Sequence, residues 1–227
     1  MATIARMINV NYDVLEAERK RRILNSINIE FEEKKIYTIS GPSGSGKTTL
    51  LNAVAGLLDS VKGQILIDGI NILDKSDKFR DEFRLYNMGI VFQKYNLFSF
   101  MNVEENILLP FYLRNERIST ELKHKVSEYL AMLQLGQIQK KQISALSGGE
   151  QQRIAIIRAI ISSPHVILCD EPTACLDSEN TSLFMKAMRV MKNQTNGTII
   201  IVTHDPRVYE YGDVRLEMKD GVLNKGV

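Results

Sequence analysis

The 227-residue sequence contains no tryptophan, two cysteines, three histidines and five prolines, and its formal net charge is only +2. Two cysteines, Cys169 and Cys175, are too few for a disulfide framework and favour a reducing compartment. Three histidines without paired cysteines predict no structural metal site. The small net charge gives no overall field that would recruit nucleic acid or acidic lipid, so no nucleic-acid partner is expected.

The sequence also lacks a long hydrophobic run. No window approaches the roughly 18 uninterrupted apolar residues that a membrane span needs, and residues 1–6 lead into no apolar signal core. We therefore expect that the chain does not cross a bilayer itself and that any membrane role requires a partner. With 44% hydrophobic and 25% charged residues, the composition is typical of a soluble globular protein with one sizeable core or two small subdomains.

One dense basic run, Arg19 to Arg22, directly follows Glu16 and Glu18. We interpret this run as a solvated loop, because charge runs of mixed sign are usually exposed to water. Contact with anionic lipid or with a partner protein is the alternative interpretation.

Continuous apolar runs at 36–39, 166–169 and 198–202 predict strands that are covered on both faces of a parallel sheet. Alternating apolar residues at 27, 29 and 31 predict a half-buried strand. Helical stretches at 47–56 and 151–162 lie between the strands and give an alternating α/β order. Residues from about 103 to 141 have apolar positions at helical spacing, which predicts a small helical subdomain inserted into the α/β core.

Residues 41–48, Gly-Pro-Ser-Gly-Ser-Gly-Lys-Thr, fit the phosphate-loop pattern G-x-x-x-x-G-K-[ST] between a strand and a helix. The glycines let the backbone curl so that its N–H groups and the helix N-terminus face a phosphate. Lys47 supplies a positive charge to the β- and γ-phosphates, and the Thr48 hydroxyl is placed to ligate Mg²⁺. A glycine-rich turn is the alternative, but the pattern predicts a bound nucleoside triphosphate. The predicted binding residues are Gly41, Ser43, Gly44, Ser45, Gly46, Lys47, Thr48 and Thr49.

Asp170 and Glu171 end the apolar strand at 166–169. Ligands of open α/β sheets bind at the carboxyl ends of strands, and successive strand residues project differently. Asp170 is therefore suited to hold the Mg²⁺ shell, and Glu171 to polarise an attacking water. Acidic residues that open a solvent-exposed turn are the alternative.

Residues 146–153, Leu-Ser-Gly-Gly-Glu-Gln-Gln-Arg, resemble the signature motif of the ABC ATPase family and lie just ahead of the acidic strand, as in that family. A serine hydroxyl and two glycine amides that open a helix form a second anion cradle; a helix cap alone is the alternative. The resemblance covers essentially the whole chain. It implies an ATPase with a P-loop NTPase (RecA-like) α/β core, a small antiparallel β region near the N-terminus and an inserted helical subdomain.

The resemblance also implies roles for four further residues. Gln93 joins the Mg²⁺ shell and senses the γ-phosphate, and His204 is the switch histidine that contacts the same phosphate. Asp177 belongs to a short loop that crosses a dimer interface. Tyr12 matches the aromatic residue that stacks on adenine, although an ordinary strand tyrosine is the alternative.

ATP and Mg²⁺ are the implied cofactors, and no other metal is expected. The implied assembly is a head-to-tail homodimer that closes on ATP binding, with Ser147, Gly148 and Gly149 of one chain closing over ATP held by Lys47 of the other. The ATP-binding core is expected at about 1–94 and 164–227, and the helical subdomain at about 95–163. Two departures from the family, Lys34-Lys35 before the first buried strand and the two cysteines around the acidic pair, remove no ligand or proton acceptor.

Residues 92–98 and 102–110 resemble the branch of the family that serves macrolide exporters, lipoprotein-release systems and peptide exporters, with the cell-division ATPase as a close relative. This resemblance implies an integral membrane permease as partner and a location on the cytoplasmic face of the cell membrane. We hypothesise that Phe98, Phe100 and Met101 line the groove that docks a permease helix; the core of the helical subdomain is their alternative position.

Two other classes remain open for this sequence. A soluble ABC ATPase of DNA repair or translation is one, although the chain has no heptad tract, no basic stripe and only one ATPase unit. A P-loop kinase of small metabolites is the other, although it would have no use for the signature motif. The transported substrate depends on the permease, so peptide or antibiotic export, lipoprotein extraction and cell-wall signalling all remain possible.

Overall fold

The computed structural model describes residues 2–16, 19–174, 176–195 and 197–226. Cys175 lies outside the described residues. None of the helices in these ranges has the length and apolar character of a membrane span. The strands are β1 Thr3–Glu16, β2 Arg19–Glu32, β3 Ile36–Ser40, β4 Lys62–Ile67, β5 Ile70–Asn71, β6 Met88–Val91, β7 Val166–Asp170, β8 Thr198–Val202, β9 Val214–Lys219 and β10 Val222–Lys225. The helices are α1 Lys47–Val54, α2 Asp77–Asn87, α3 Val103–Leu113, α4 Thr120–Met132, α5 Gly148–Ile160, α6 Ser178–Thr195 and α7 Pro206–Glu210.

Six strands form the central sheet in the order β10-β9-β3-β8-β7-β6. Neighbouring strands are parallel except β10 and β9. The three continuous apolar runs form β3, β7 and β8, as the sequence predicts. Their side chains alternate between two cores: Ile199 and Ile201 pack on one face of the sheet, and Ile200 and Val202 on the other. Because both faces are covered, all four side chains are fully buried.

The N-terminal region forms a second, antiparallel sheet in the order β2-β1-β4-β5. The predicted half-buried strand is part of β2, in which Ile27 and Phe31 are buried. Arg19–Arg22 are exposed to solvent, as expected, but the prediction of a loop is wrong, because these residues are the first four of β2 and pair with the end of β1. Cross-strand pairing, including the ion pair of Arg22 with Asp13 at 2.9 Å, holds the basic run in extended structure.

The helical region between β6 and β7 contains α3, α4 and α5. The first two helices lie in the segment that the sequence predicts as a helical insertion. The helix predicted from residue 151 is α5, which begins three residues earlier because Ser147 caps it by accepting from the Glu150 N–H. The sequence predicts no helix at α2, where apolar residues are sparse and only Phe83 is buried.

An apolar groove of about 580 Å³ runs beside this helical region. Phe98 lines this groove, whereas Phe100 and Met101 do not. That the groove docks a permease helix stays a prediction. Phe100 instead stacks edge-on against Phe98, with ring centroids 5.5 Å apart. Phe98 and Phe100 are 42% and 76% exposed, so the alternative position in the core of the helical subdomain is wrong for both.

Asn106 of α3 holds the loop that precedes this helix. Its side chain is 0% exposed, and Nδ2 donates to the carbonyl oxygens of Phe98 at 3.0 Å and Met101 at 3.2 Å. Oδ1 accepts from the Phe98 N–H at 2.8 Å. The side chain therefore bonds to part-buried backbone groups of the loop, although the Phe98 carbonyl oxygen also accepts from the Met101 N–H at 3.1 Å.

We predict that Asn106→Leu lowers the free energy of unfolding by about 3 kcal/mol, because it removes the hydrogen bonds to the Phe98 N–H and the Met101 carbonyl oxygen while keeping a branched side chain with the same number of heavy atoms. Urea unfolding followed by circular dichroism measures the change. Asn224→Leu, at an exposed position of β10, is the control and should change stability by less than about 0.5 kcal/mol. Equal stability of the two variants would contradict this role.

Candidate active site

A pocket of about 550 Å³ lies at the carboxyl ends of β3, β6, β7 and β8. Four parallel strands end at this edge of the central sheet, which is where open α/β sheets bind ligands. The pocket brings together ten of the residues that the sequence singles out, together with two from β2. Its lining residues are Arg21, Ile23, Gly41, Ser43, Gly44, Gly46, Lys47, Thr48, Thr49, Gln93, Glu171 and His204.

The loop between β3 and α1 needs its glycines. Gly41 has a φ of +149°, and a Cβ atom there would lie 2.0 Å from the Met218 carbonyl oxygen of β9. Gly46 has a φ of +104°, and its Cβ would lie 2.9 Å from the Ile23 carbonyl oxygen. Ser45 is buried within the loop. The loop can therefore curl in this way only with glycine at positions 41 and 46, where a Cβ atom would collide with the backbone of another strand.

Lys47 begins α1 and is buried beneath the loop. Its Nζ donates to the carbonyl oxygens of Gly41 at 2.7 Å and Pro42 at 2.9 Å. No side chain of the described residues caps the N-terminus of α1. An ammonium group, uncapped helix N–H groups and a glycine cradle are the donor set that suits a polyphosphate, so the residues fit ATP.

Thr48, which lines the pocket, contacts Asp170, which does not. The Thr48 hydroxyl donates to Asp170 Oδ1 at 3.1 Å, which joins two residues that are 122 positions apart in the sequence. Burial raises the pKa of the Asp170 carboxyl above its ordinary value; the Thr48 hydrogen bond opposes this and the charge of Glu171 adds to it. The Thr48 hydroxyl and the Asp170 carboxylate are adjacent hard oxygen donors, and with the neighbouring Glu171 carboxylate they fit a small divalent cation such as Mg²⁺.

Glu171 and His204 form a second contact pair. Glu171 Oε2 lies 2.8 Å from the Nδ1 atom of His204 and accepts from the His204 backbone N–H at 3.2 Å. Glu171 has a φ of +48°, unusual for a non-glycine residue, and its N–H donates to the Val202 carbonyl oxygen at 3.0 Å. This turn directs the carboxylate toward the loop that follows β8, so a carboxylate that could accept a proton lies beside an imidazole.

Seven predicted site residues do not line this pocket. Two of them lie directly beside it: Ser45 is buried within the loop, and Asp170 contacts Thr48. The other five lie elsewhere. Tyr12 is paired with Leu24 in the N-terminal sheet and packs partly against the core. Ser147, Gly148 and Gly149 open α5, where the Ser147 hydroxyl and N–H both donate to Glu150 at 2.8 Å. Asp177 accepts from the Asn180 N–H at the start of α6.

Arg21 and Ile23 line the pocket, although no sequence motif indicated them. They are missed because their positions depend on pairing between β1 and β2, not on a local pattern. The basic run at 19–22 was the available signal. Interpreting this run as a loop does not reveal that a strand brings Arg21 to the pocket.

The fold and the glycine loop are those of a P-loop NTPase. Residues 24–174 match the family described as "ABC transporter". The chain is 35% identical over 210 residues to the ABC transporter ATP-binding protein YtrE of Bacillus subtilis (strain 168), covering 92% of this chain and 90% of that protein. It is also 35% identical over 220 residues to the lipoprotein-releasing system ATP-binding protein LolD of Buchnera aphidicola subsp. Schizaphis graminum (strain Sg), covering 97% and 96%.

Solved structures from ABC transporters also match this chain. The dimeric structure of MJ0796, titled a bacterial ABC transporter cassette, matches with a TM-score of 0.90 and 32% identity over 97% of this chain and 98% of that one. A post-hydrolysis dimer of MJ0796 with ADP and Pi matches equally well. CbiO1 from Clostridium perfringens, part of the transporter complex cbiONQ, has a TM-score of 0.82 and 31% identity over 98% and 87%.

The chain therefore belongs to the ABC transporter family, as an ATP-hydrolysing, ATP-binding subunit. The predicted family and fold class are confirmed, and the similarity to LolD confirms the predicted branch.

We predict that Gly41→Ala destabilises the protein by about 2 kcal/mol more than Gly44→Ala. Gly44 also has a positive φ, +77°, but a Cβ atom there meets no atom of the described residues within 4 Å. The Gly44 variant therefore measures the backbone strain alone, whereas Gly41→Ala also collides with the Met218 carbonyl. Thermal unfolding of both variants makes the comparison; equal melting temperatures would show that β9 does not constrain the loop.

Proposed function

We propose that this chain hydrolyses ATP as a head-to-tail dimer and drives an integral membrane permease from the cytoplasmic face of the cell membrane. The observation that carries the proposal is that the predicted site residues of one chain lie in two separate places. The pocket contains the phosphate loop and the Glu171–His204 pair, whereas Ser147 and its glycines do not line it. A second copy of the chain would supply those anion-binding groups, and the dimeric structures of MJ0796 support this arrangement.

The chemistry assigned to the pocket is hydrolysis of the terminal phosphate. Lys47 and the loop N–H groups hold the phosphates, and Glu171 orients water and accepts its proton while His204 fixes the carboxylate. Gln93 senses the γ-phosphate from the end of β6. Mg²⁺, held by Thr48, Asp170 and Gln93, would neutralise charge on the phosphate oxygens.

Residues outside the pocket complete the proposed dimer site. Ser147, Gly148 and Gly149 close over the partner's γ-phosphate with the N-terminus of α5. Asp177 lies in the loop that crosses the interface. Tyr12 of β1 stacks on adenine. Each site is then incomplete in a single chain, which couples hydrolysis to association.

The proposed transport role is export or extraction of a peptide, antibiotic or lipoprotein. Its support is the similarity to LolD, which is named for a lipoprotein-releasing system. The apolar groove offers a second support, because Phe98 and Phe100 expose aromatic surface at its edge. Exposed aromatic side chains beside an apolar groove are typical of a protein-docking site.

We predict that Glu171→Gln binds ATP and dimerises but releases phosphate at least about 100-fold more slowly, because an amide cannot accept the proton of the attacking water. Glutamine can still accept the His204 hydrogen bonds, so the geometry is kept. Phosphate-release kinetics and light scattering with ATP measure the two effects. Glu179→Gln, an exposed carboxylate in the first turn of α6, is the control; full turnover in Glu171→Gln would refute the assignment of the base.

The permease partner can be tested by affinity capture of tagged Glu171→Gln with ATP from detergent-solubilised membranes. We predict that an integral membrane protein is recovered, and that a second change, Phe100→Asp, abolishes the recovery because it places a charge in the apolar contact. Leu15→Asp, at a similarly exposed apolar residue, should leave the recovery unchanged.

The same pair of changes in the otherwise wild-type chain gives an independent readout. Phe100→Asp should remove the stimulation of hydrolysis by the captured membrane protein and leave basal hydrolysis intact. Equal loss of both activities would contradict a permease contact at Phe100, which lies against Phe98 at the edge of the groove. Capture of soluble or nucleic-acid-associated proteins alone would leave the ATPase intact and refute the transport role.

A further inference from the structure

Strand β2 is fixed beside the phosphate loop by backbone contacts. The Asn25 N–H donates to the Gly221 carbonyl oxygen at 2.8 Å, and the Gly221 N–H donates to the Ser45 carbonyl oxygen at 3.1 Å. The hairpin between β9 and β10 therefore joins β2 to the loop. Ile23 lies against Gly46, as the close approach of its carbonyl oxygen to that glycine shows. Residues of β2 near Ile23 consequently have a defined position relative to the phosphate site.

The basic run of β2 divides between two environments. Arg22 is held by its ion pair with Asp13 on β1. Arg21, one residue earlier, lines the pocket together with Ile23, two residues later, because alternate residues of a strand share a face. Arg21 is thus the member of the run that reaches the nucleotide pocket.

The order of the strands in the central sheet shows on which side of the phosphate loop Arg21 lies. His204, Glu171 and Gln93 follow β8, β7 and β6, which all lie on one side of β3. Strands β9 and β10 lie on the other side of β3, and their hairpin holds β2. Arg21 is therefore on the opposite side of the phosphate loop from the Glu171–His204 pair.

A triphosphate with its terminal phosphate at Glu171 and His204 would extend over the loop toward β2. Its nucleoside end would then lie next to Arg21 and Ile23. Lys47 is the other lysine or arginine among the lining residues. A guanidinium group carries five N–H donors in a fixed plane, which suits phosphate and hydroxyl oxygens at once.

We propose that Arg21 is a nucleotide-binding residue, whose guanidinium binds the α-phosphate and ribose oxygens of ATP and ADP. The inference rests on the proposed placement of the nucleotide in this pocket and adds a contact at its nucleoside end. It assigns Arg21 to affinity and not to the chemical step, because Arg21 lies across the loop from the group that activates water.

The test is calorimetric titration with Mg²⁺-ADP into the wild-type chain and with Mg²⁺-ATP into Glu171→Gln, with and without Arg21→Gln. Loss of one charge-assisted contact should raise Kd for both nucleotides roughly tenfold. Arg21→Lys keeps the charge without the planar donor set and should give a smaller loss. In the wild-type background, kcat at saturating ATP should be unchanged by Arg21→Gln while KM rises.

Lys20→Gln is the matched control, since it removes the same charge from the adjacent residue of the same strand, which does not line the pocket. It should change Kd less than twofold. Equal Kd values for Arg21→Gln and Lys20→Gln would overturn the proposal, as would a loss of affinity for ATP but not for ADP. Thermal unfolding confirms that each variant is folded, and Arg21→Lys gives a second comparison if Arg21→Gln is unstable.

Failure of the proposed function gives a different result. If the wild-type chain bound neither nucleotide, the placement of ATP in this pocket would be wrong, and the role of Arg21 would fall with it. If the wild-type chain bound both nucleotides and Lys47→Ala did not, only the comparison between Arg21→Gln and Lys20→Gln would decide the role of Arg21.

Discussion

The parallel pairing of β3, β8 and β7 is the interaction on which the whole site depends. These strands place the phosphate loop, His204 and Glu171 at a common edge of the sheet, although 163 positions separate Gly41 from His204 in the sequence. Covering by two cores keeps the strands in register, because a slip by one residue would exchange the side chains that face each core. The geometry of the site therefore follows from the packing of Ile199, Ile200 and their neighbours.

Much of this site could be predicted from the sequence, because its parts are local patterns attached to strongly apolar strands. Lys47 belongs to a continuous sequence motif. Glu171 and His204 each closely follow a continuous apolar run that predicts a buried strand. The contact between Glu171 and His204 could not be predicted, since it depends on the +48° φ of Glu171 and on the order of two strands. The position of Arg21 at the pocket likewise could not be predicted, since it depends on the pairing of β1 with β2.

The glycines of the loop serve two different neighbours. Gly41 makes room for the backbone of β9, whereas Gly46 makes room for the backbone of β2. The loop is therefore shaped by the N-terminal sheet and by the last strands of the chain at the same time. Its motif predicts a phosphate cradle, but the motif alone does not show which distant backbone segments hold that cradle in its curled form.

The order of the strands also has a consequence for synthesis on the ribosome. The chain makes β3 and the phosphate loop within its first 50 residues, but both neighbours of β3 in the sheet, β8 and β9, come after residue 197. Until then β3 has no strand on either side, and the loop lacks the backbone of β9 against which it packs. The ability to hold a nucleotide thus arises late in translation, when nearly the whole chain has left the ribosome.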